Sequence, residues 1–383
     1  EKKMRAFEFL IEDKKHKDII TKDIKFLGNL FKKHGHELRL VGGAVRDVVL
    51  GKQPKDIDFA TDATPDEMTK FLEKSKIKVV PTGVEHGTIT AVYNNEPYEI
   101  TTLRADKETD GRHADVEFVR SWEQDAKRRD LTYNAMSMSM DGEVHDYYNG
   151  MDDLQNKVSK FVGDPEERIK EDYLRILRYF RFQSRLDKPS FDKDTLAAIK
   201  KTASGLKKIS VERVWQEVSK LLTGQNVVDT LTAMSKTGVA KAIGLNVNNV
   251  NAVKDTKDPL IALVQLGNEG DIASRWKMSN PEAQTIKFLV KHKDNALDQN
   301  KVEDMLADGI SRNLITALAK MQGKDNLDID SDIPAFPVDG QDLIRMGMKP
   351  GPEIGNTLNT LKADWKNSRF KLTKDELLQR IKK

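Results

Sequence analysis

Cysteine is absent from the 383-residue sequence, which excludes disulfide bonds and thiolate metal sites. No stretch approaches the roughly 20 apolar residues of a membrane span, so the sequence predicts no membrane association. The formal net charge of only +3 argues against a surface that binds polyanions over its whole extent, and any nucleic-acid contact must come from local patches. The length allows two or more domains with a substantial buried core.

The first 150 residues combine helical and strand patterns. Helices are predicted at residues 22–33 and 64–75, the second opening with Thr-Pro and acidic residues. Strands are predicted at residues 37–41, 56–60, 78–80, 88–93 and 98–103, with a hairpin between the last two. The polar segment 104–114 is predicted to be a mobile loop. The pattern indicates an α/β unit with a sheet of about five strands.

The strand signal largely disappears after residue 160, which indicates an all-α remainder. Helices are predicted at residues 211–222, 281–290, 303–322 and 353–365. Asn280 is predicted to cap the second of these, with Pro281 at its first position. Residues 325–337 contain several aspartates and two prolines, and they are the best linker candidate.

The first group of candidate functional residues lies around two adjacent glycines. Gly42 and Gly43 between a strand and a short helix would let the backbone approach a phosphate, and Arg46 would add an anion partner. Asp56 and Asp58 are two apart on a predicted strand and therefore point to the same side. Paired carboxylates are ligands that Mg²⁺ prefers. The alternative is that each motif only forms a turn, which becomes less plausible because the two occur close together.

Further polar residues extend this group. Glu99, on the predicted strand 98–103, is a candidate third acid, although an ordinary exposed strand residue explains it equally well. Arg129, preceded by a second arginine, could hold phosphates, while Asp130 and Asn134 could bind a ribose hydroxyl. The alternative for this second cluster is a charged helix end.

Residues 165–183 predict one amphipathic helix. Its apolar side contains Ile169, Tyr173, Ile176, Leu177 and Phe180. Its other side contains Asp172, Arg175, Arg178 and Arg181, three apart, so that neighbours in the row touch. A solvated charged face would explain this row without any function.

The first two residues of this row could read a base. Ionised Asp172 only accepts hydrogen bonds and Arg175 only donates them. Cytosine and adenine each present an amino donor beside a ring-nitrogen acceptor, which such a pair complements. Uracil and guanine present a carbonyl and an N–H instead, so polar groups in a closed site would remain unpaired. The pair could therefore select C and A.

Four motifs in this order make the sequence similar to the class II tRNA nucleotidyltransferases, the CCA-adding enzymes, whose head is shared with bacterial poly(A) polymerases. They begin at Gly42, Asp56, Arg128 and Glu171. Residues 99–104 and 110–114 resemble the strand of the third carboxylate and the flexible loop of that family. Residues 211–215 resemble its helix-stabilising motif, and residues 336–340 and 351–355 resemble the tail of eukaryotic, mitochondrial-type members.

The resemblance implies an α/β nucleotidyltransferase head at residues 1–150, followed by an all-α neck (151–224), body (225–326) and tail (327–383). Asp56, Asp58 and Glu99 would act as catalytic acids that bind Mg²⁺. The resemblance also implies a set of nucleotide-binding residues: Gly42, Gly43, Arg46, Arg129, Asp130, Asn134, Asp172, Arg175, Arg178 and Arg181. Body and tail would bind the tRNA acceptor arm.

The implied activity is template-independent addition of C, C and A to tRNA 3′ ends from CTP and ATP. The loop at residues 104–115 is the expected lever for the change from CTP to ATP. Two alternatives are a poly(A) polymerase with the same head and a non-catalytic RNA-binding protein with this fold. The resemblance implies a mitochondrial or cytoplasmic location, and because the sequence starts at Glu1 a removed targeting segment would leave no trace in it.

Overall fold

The computed structural model describes residues 19–109 and 114–382. The chain forms two compact units that divide between Pro259 and Leu260. Within the described ranges, no helix combines the length and hydropathy needed to cross a membrane.

The first unit is built on a mixed β-sheet. Its strands are β1 (Leu38–Val41), β2 (Asp58–Thr61), β3 (Lys78–Gly83), β4 (Thr88–Tyr93), β5 (Glu96–Thr102), β8 (Ser137–Met138) and β9 (Val144–His145), while β6 (Arg104–Thr109) and β7 (Ala114–Phe118) form a separate ribbon. The strand order in the sheet is β3-β4-β5-β2-β1-β8-β9. Among the described strands of this sheet, β2 and β5 pair in parallel and the other neighbours pair antiparallel.

Helices surround and follow this sheet. Those of the first unit are α1 (Lys22–Lys33), α2 (Gly43–Val49), α3 (Pro65–Lys74), α4 (Trp122–Lys127), α5 (Gly150–Gln155), α6 (Pro165–Glu171), α7 (Leu174–Gln183), α8 (Lys193–Thr202), α9 (Val211–Leu222), α10 (Val227–Lys236) and α11 (Val239–Ile243). Short 3₁₀ segments lie at Val84–His86, Thr132–Asn134, Ala203–Lys208 and Val250–Val253. Helices α1 and α3 meet through Phe31 and Phe71, whose ring centroids are 4.9 Å apart.

The two faces of the sheet differ in polarity. On one face, Phe59, Ile89 and Ile100 are buried in the core. Phe59 and Ile100 are partners in the parallel register of β2 and β5. Asp58 directly precedes Phe59, and Glu99 directly precedes Ile100. Because successive side chains on a strand alternate, Asp58 and Glu99 lie beside each other on the opposite face, where both of these side chains are exposed.

The structure corrects three predictions about this unit. The sheet has seven strands rather than about five, because the short strands β8 and β9 carry too few residues to show alternation. Segment 104–114 is not simply a loop, since Arg104–Thr109 pairs with Ala114–Phe118; residues 110–113 lie outside the described part. Asp56 precedes β2, so the argument that it shares a strand face with Asp58 was wrong.

The predicted helix 165–183 is in fact two helices. Helix α6 ends at Glu171, and Asp172 has extended backbone angles (φ −150°, ψ 107°). The Asp172 carboxylate accepts a hydrogen bond of 3.0 Å from the N–H of Leu174, at the start of α7. Aspartate competes in this way with intrahelical hydrogen bonds, which explains a break that the apolar periodicity does not reveal. Helix α7 then packs against α9.

The described residues of the second unit form helices joined by irregular segments, without a β-strand. Its helices are α12 (Pro259–Gln265), α13 (Asp271–Arg275), α14 (Asn280–His292), α15 (Gln299–Ala307), α16 (Arg312–Met321), α17 (Gly340–Arg345), α18 (Pro352–Asn367) and α19 (Lys374–Gln379), with a 3₁₀ segment at Arg380–Lys382. The last three helices share a core around Trp365, whose ring centroid lies 5.4 Å from that of Phe336. Residues 325–337, the predicted linker, contain no helix or strand, and Ile333 and Phe336 of this segment pack against that core.

Two predictions for this unit need correction. The predicted helix 303–322 is interrupted between α15 and α16, where Gly309 has a φ of +79° and ends the first helix. Ser279, not Asn280, caps α14, and Glu282 completes its capping box. Asn280 is instead the first helical residue.

We expect Thr64→Ala to lower the free energy of unfolding by about 1 kcal/mol. Thr64 and Glu67 form a capping box at the start of α3, with hydrogen bonds of 3.3 and 2.8 Å. Urea denaturation followed by circular dichroism measures the change. Thr64→Ser keeps the hydroxyl and should retain most of the stability, so equal losses in both variants would contradict the capping role.

Candidate active site

One cavity of about 340 Å³ in the first unit brings together most of the candidate residues. Four parts of the chain form its walls: the turn into α2, the start of β2, the segment after α4, and the α6–α7 break. The lining residues are Gly42, Gly43, Arg46, Asp58, Arg128, Arg129, Asp130, Asn134, Asp172, Arg175, Arg178 and Phe182. Residues up to 140 positions apart in the chain thus face the same space.

The first wall depends on the glycine turn between β1 and α2. Gly42 has a φ of +67°, and a Cβ at this position would lie 3.0 Å from Nη1 of Arg129. Arg46 donates to Oδ1 of Asp47 at 2.9 and 2.7 Å and to Oδ1 of Asn134 at 2.9 Å. The turn therefore leaves room for Arg129, and Arg46 is held in a single orientation.

Asp130 connects this wall to helix α7. It accepts hydrogen bonds from the Leu131 N–H at 2.8 Å, from Asn134 at 3.2 Å and from Nε of Arg178 at 2.6 Å. Burial opposes ionisation of Asp130, but the positive charge of Arg178 and these hydrogen bonds outweigh it and lower its pKa. Asp130 is therefore an ionised anchor for Arg178.

Arg128 and Arg129 share one buried carboxylate, that of Asp125 in α4. Asp125 accepts from Nε of Arg128 at 2.9 Å and from Nη2 of Arg129 at 3.1 Å. Burial favours its neutral form, but the two arginines together lower its pKa. Arg168 of α6 donates to the carbonyls of Arg128 and Arg129 at 2.7 and 2.9 Å, which fixes α6 to this segment.

Asp172 and Arg175 both line the cavity, and both already have partners. Asp172 forms an ion pair of 3.0 Å with Arg213 of α9. Arg175 pairs with Glu171, which also binds Arg168, and it donates to the Arg168 carbonyl at 2.8 Å. A carboxylate offers about four acceptor sites and a guanidinium five donors, so both side chains keep capacity for a base.

Of the three candidate acids, only Asp58 lines the cavity; Asp56 precedes it by two residues, and Glu99 lies on the neighbouring strand β5. Desolvation raises the pKa of Asp58, Arg129 partly opposes this rise, and the nearby charge of Asp56 adds to it. Among the described residues, no group of three or more His, Asp or Glu side chains is gathered closely enough to hold a metal ion by itself. Two carboxylates completed by substrate phosphates still suit a hard divalent cation.

Arg181 was predicted to bind the nucleotide, but it does not line the cavity. It is 8% exposed and forms an ion pair of 3.1 Å with Glu217 of α9. Burial lowers the pKa of Arg181 to about 10. The prediction that these four residues form one row was wrong because Asp172 lies at the break, outside helix α7. Arg175, Arg178 and Arg181 lie within α7, where residues three apart turn progressively around the helix axis.

Phe182 lines the cavity but was not among the predicted site residues. It follows Arg178 by four positions on the same helix, which places the two side chains on one face. This spacing is the signal that could have identified it. Arg128 also lines the cavity, although only Arg129 of that pair was assigned to the site.

Comparison with known proteins first defines the class. The family model described as the poly A polymerase head domain matches residues 38–160, and the one described as a probable RNA and SrmB-binding site of polymerase A matches residues 190–246. The chain therefore has a nucleotidyltransferase head of this class, which generally uses a divalent metal ion.

Relatives define the family more closely. Mitochondrial CCA tRNA nucleotidyltransferase 1 of Mus musculus is 40% identical over 100% of this chain and 94% of its own length. The CCA-adding enzyme of Lactobacillus helveticus is 33% identical over 96% of this chain and 98% of its own. The crystal structure of the Bacillus stearothermophilus CCA-adding enzyme in complex with CTP matches with a TM-score of 0.78 at 25% identity, over 93% of this chain and 96% of that one. The chain belongs to the family of CCA-adding tRNA nucleotidyltransferases.

We expect Gly42→Ala to impair nucleotide incorporation more strongly than its effect on stability explains. The change strains the backbone by about 1–3 kcal/mol and also displaces Arg129. Gly51→Ala is the matched control, because Gly51 has a φ of +68° and nothing within 4 Å of an added Cβ. Unfolding and single-nucleotide incorporation are measured for both. Equal losses of activity would show that the Arg129 contact is unimportant.

Proposed function

We propose that the cavity is the single nucleotide site from which this enzyme adds C, C and A to the 3′ end of tRNA. The enzyme uses CTP and ATP as substrates and needs no nucleic-acid template. The observation that carries the site assignment is that Asp58, the glycine turn and the pair Asp172–Arg175 line the same cavity of about 340 Å³. An acid, a phosphate-binding wall and a base-reading wall are what nucleotidyl transfer requires.

The triphosphate would lie along the wall of Gly42, Gly43, Arg46 and Arg129. The glycine backbone permits close approach, and the two guanidiniums offer directed donors. Asp130 and Asn134 would bind the ribose, since both face the cavity and are already fixed by mutual hydrogen bonding at 3.2 Å. Each group is held before the substrate arrives, which lowers the entropic cost of alignment.

Mg²⁺ is the divalent ion we propose, with Asp56 and Asp58 as its protein ligands and Glu99 beside Asp58 as the third acid. When bound, Mg²⁺ would offset charge on the phosphates during transfer. The structure offers a physical reason for this assignment: Asp58 lines the cavity, the negative charge of Asp56 is close to it, and Glu99 lies beside it on the neighbouring strand, so negative charge is concentrated there. Glu99 and Asp58 share a sheet face. In this proposal, the 3′-hydroxyl of the primer and the α-phosphate that it attacks lie over this face.

Base selection would use the unoccupied hydrogen-bonding capacity of Asp172 and Arg175. Asp172 accepts from the amino group of cytosine or adenine, and Arg175 donates to the adjacent ring nitrogen. The ion pairs with Arg213 and Glu171 hold both side chains in place from behind. Arg178 lies next to them through its bond to Asp130. Residues 104–115, of which 110–113 lie outside the described part, remain our proposed lever for the change from CTP to ATP.

The remaining parts of the chain bind tRNA in this proposal. We assign the head to residues 1–150, the neck to 151–224, the body to 225–326 and the tail to 327–383, with body and tail binding the acceptor arm. A mitochondrial location is supported by the names of the vertebrate relatives.

In the direct test, a tRNA that lacks its 3′ CCA end is incubated in the presence of Mg²⁺ with labelled CTP alone, with labelled ATP alone, or with both. We expect two C residues from CTP alone and a complete CCA end, with a stop after A, when both are present. A long A tract from ATP alone would indicate a poly(A) polymerase. A folded sample that binds tRNA without any incorporation would indicate a non-catalytic binding protein.

We expect Asp58→Asn to reduce incorporation by at least about 10³-fold, because the neutral amide cannot hold the cation that offsets phosphate charge. Gel-shift binding of tRNA should be retained. Asp66→Asn is the control, since Asp66 is an exposed acid in the first turn of α3. Chelation should abolish wild-type activity and added Mg²⁺ should restore it, whereas activity that persists in chelator would refute the metal assignment.

We also expect Asp172→Asn to weaken selection against UTP and GTP. The amide can donate to a carbonyl, which the carboxylate cannot do, so the preference for CTP over UTP should fall by about tenfold or more. Competition between the four nucleotides in single-addition assays measures this preference. Asp164→Asn makes the same chemical change at the N-cap of α6, outside the cavity lining. If both variants select nucleotides as the wild type does, Asp172 does not read the base.

A further inference from the structure

Phe182 contacts the guanidinium groups of three arginines. Its ring centroid lies 5.0 Å from Cζ of Arg46, 5.6 Å from Cζ of Arg178 and 4.3 Å from Cζ of Arg181. Cations within about 6 Å of an aromatic centroid are attracted by the negative face of the ring. The ring is 7% exposed and lines the nucleotide cavity. One aromatic side chain on α7 therefore reaches an arginine of the head, Arg46.

Each of these arginines has its own carboxylate partner. Arg46 pairs with Asp47 at 2.7 Å, Arg178 with Asp130 at 2.6 Å between Nε and Oδ2, and Arg181 with Glu217 at 3.1 Å. The three pairs balance their charges around a single ring, so the mutual repulsion of the guanidiniums is offset. The cluster is thus a stable arrangement in the absence of substrate.

Hydrogen bonds and the ring constrain the cavity arginines in different directions. The hydrogen bonds of Arg46 with Asp47 and Asn134 lie at the edge of its guanidinium plane. A phenyl group at the distance of Phe182 limits how far that plane can turn. The same holds for Arg178, with Asp130 at its edge. Together these contacts fix both the position and the tilt of the donors that face the nucleotide.

Arg181 contacts the ring without facing the cavity. Its pair with Glu217 anchors it to α9. Among the three arginines it has the shortest distance to Phe182. This arrangement gives a role to a residue that the sequence had placed among the nucleotide ligands: it supports the ring.

We propose that Phe182 is a positioning residue for the nucleotide, whose ring holds the guanidiniums of Arg46 and Arg178 in the orientation that CTP and ATP require. Arg181 and Glu217 hold the ring from the side away from the nucleotide. This inference rests on the proposed nucleotide site. It differs from base reading in one consequence: loss of the ring weakens the binding of CTP and ATP but leaves the selection against UTP and GTP unchanged.

Phe182→Leu keeps an apolar side chain and removes the aromatic face. We expect the dissociation constants of CTP and of ATP, measured by equilibrium dialysis with labelled nucleotide and Mg²⁺ in the absence of tRNA, to rise by about tenfold. KM for the nucleotides should rise with them, while KM for tRNA stays at the wild-type value. Phe182→Tyr keeps the ring and should restore most of the affinity.

Phe180→Leu is the matched control. Phe180 is fully buried on the same helix, and its ring contacts Tyr179 rather than the cavity. Both leucine variants should lose stability in thermal unfolding, but only Phe182→Leu should lose nucleotide affinity. If the two variants bind CTP equally well, or if Phe182→Tyr binds as weakly as Phe182→Leu, the positioning role is refuted.

The binding measurement separates this inference from the proposed function. Tenfold weaker nucleotide binding by Phe182→Leu supports the inference even in a preparation that adds no nucleotides to tRNA. Normal binding by Phe182→Leu, in an enzyme whose wild type completes CCA ends, overturns the inference and leaves the proposed function intact. Absence of CTP binding by the folded wild type would overturn both.

Discussion

The ion pair between Asp130 and Arg178 is the contact on which the site depends. These residues are 48 positions apart, and their pair joins the segment after α4 to helix α7. Asp130 is also bonded to Asn134, and Asn134 to Arg46, so one hydrogen-bonded chain runs from the glycine turn to the α6–α7 region. Removing one partner of this partly buried pair would leave the other charge uncompensated and would loosen the whole wall.

Much of the fold follows from local sequence signals. Residues 22–33 and 211–222 have the predicted helix bounds, because an amphipathic pattern coincides there with clear ends. The strands β8 and β9, two residues each, carry no comparable signal and form only because β1 offers an edge to pair with. Pairing between distant segments supplies the rest of the sheet, and no periodicity within one segment encodes it.

The candidate site was predictable as a set of residues but not as a geometry. The chemistry of Gly42, Asp58 and Asp172 points to a nucleotide, and the fold brings these three to one cavity. The position of Arg181 outside the cavity was not predictable from an assumed continuous helix, because the extended backbone at Asp172 separates that residue from the arginines that follow it. Whether an arginine meets a substrate or a buried carboxylate depends on its partner in another helix, here Glu217.

Every arginine that lines the cavity is already paired with a carboxylate of the protein. The carboxylates are those of Asp47, Asp125, Asp130 and Glu171, and Asp125 serves two arginines. A triphosphate that entered the proposed site would therefore share donors that already have partners rather than neutralise free cations, which would limit how tightly it is held. An enzyme that adds three nucleotides in succession must exchange the bound nucleotide after each addition. Weak binding favours this exchange, because a nucleotide that does not match the next step dissociates quickly.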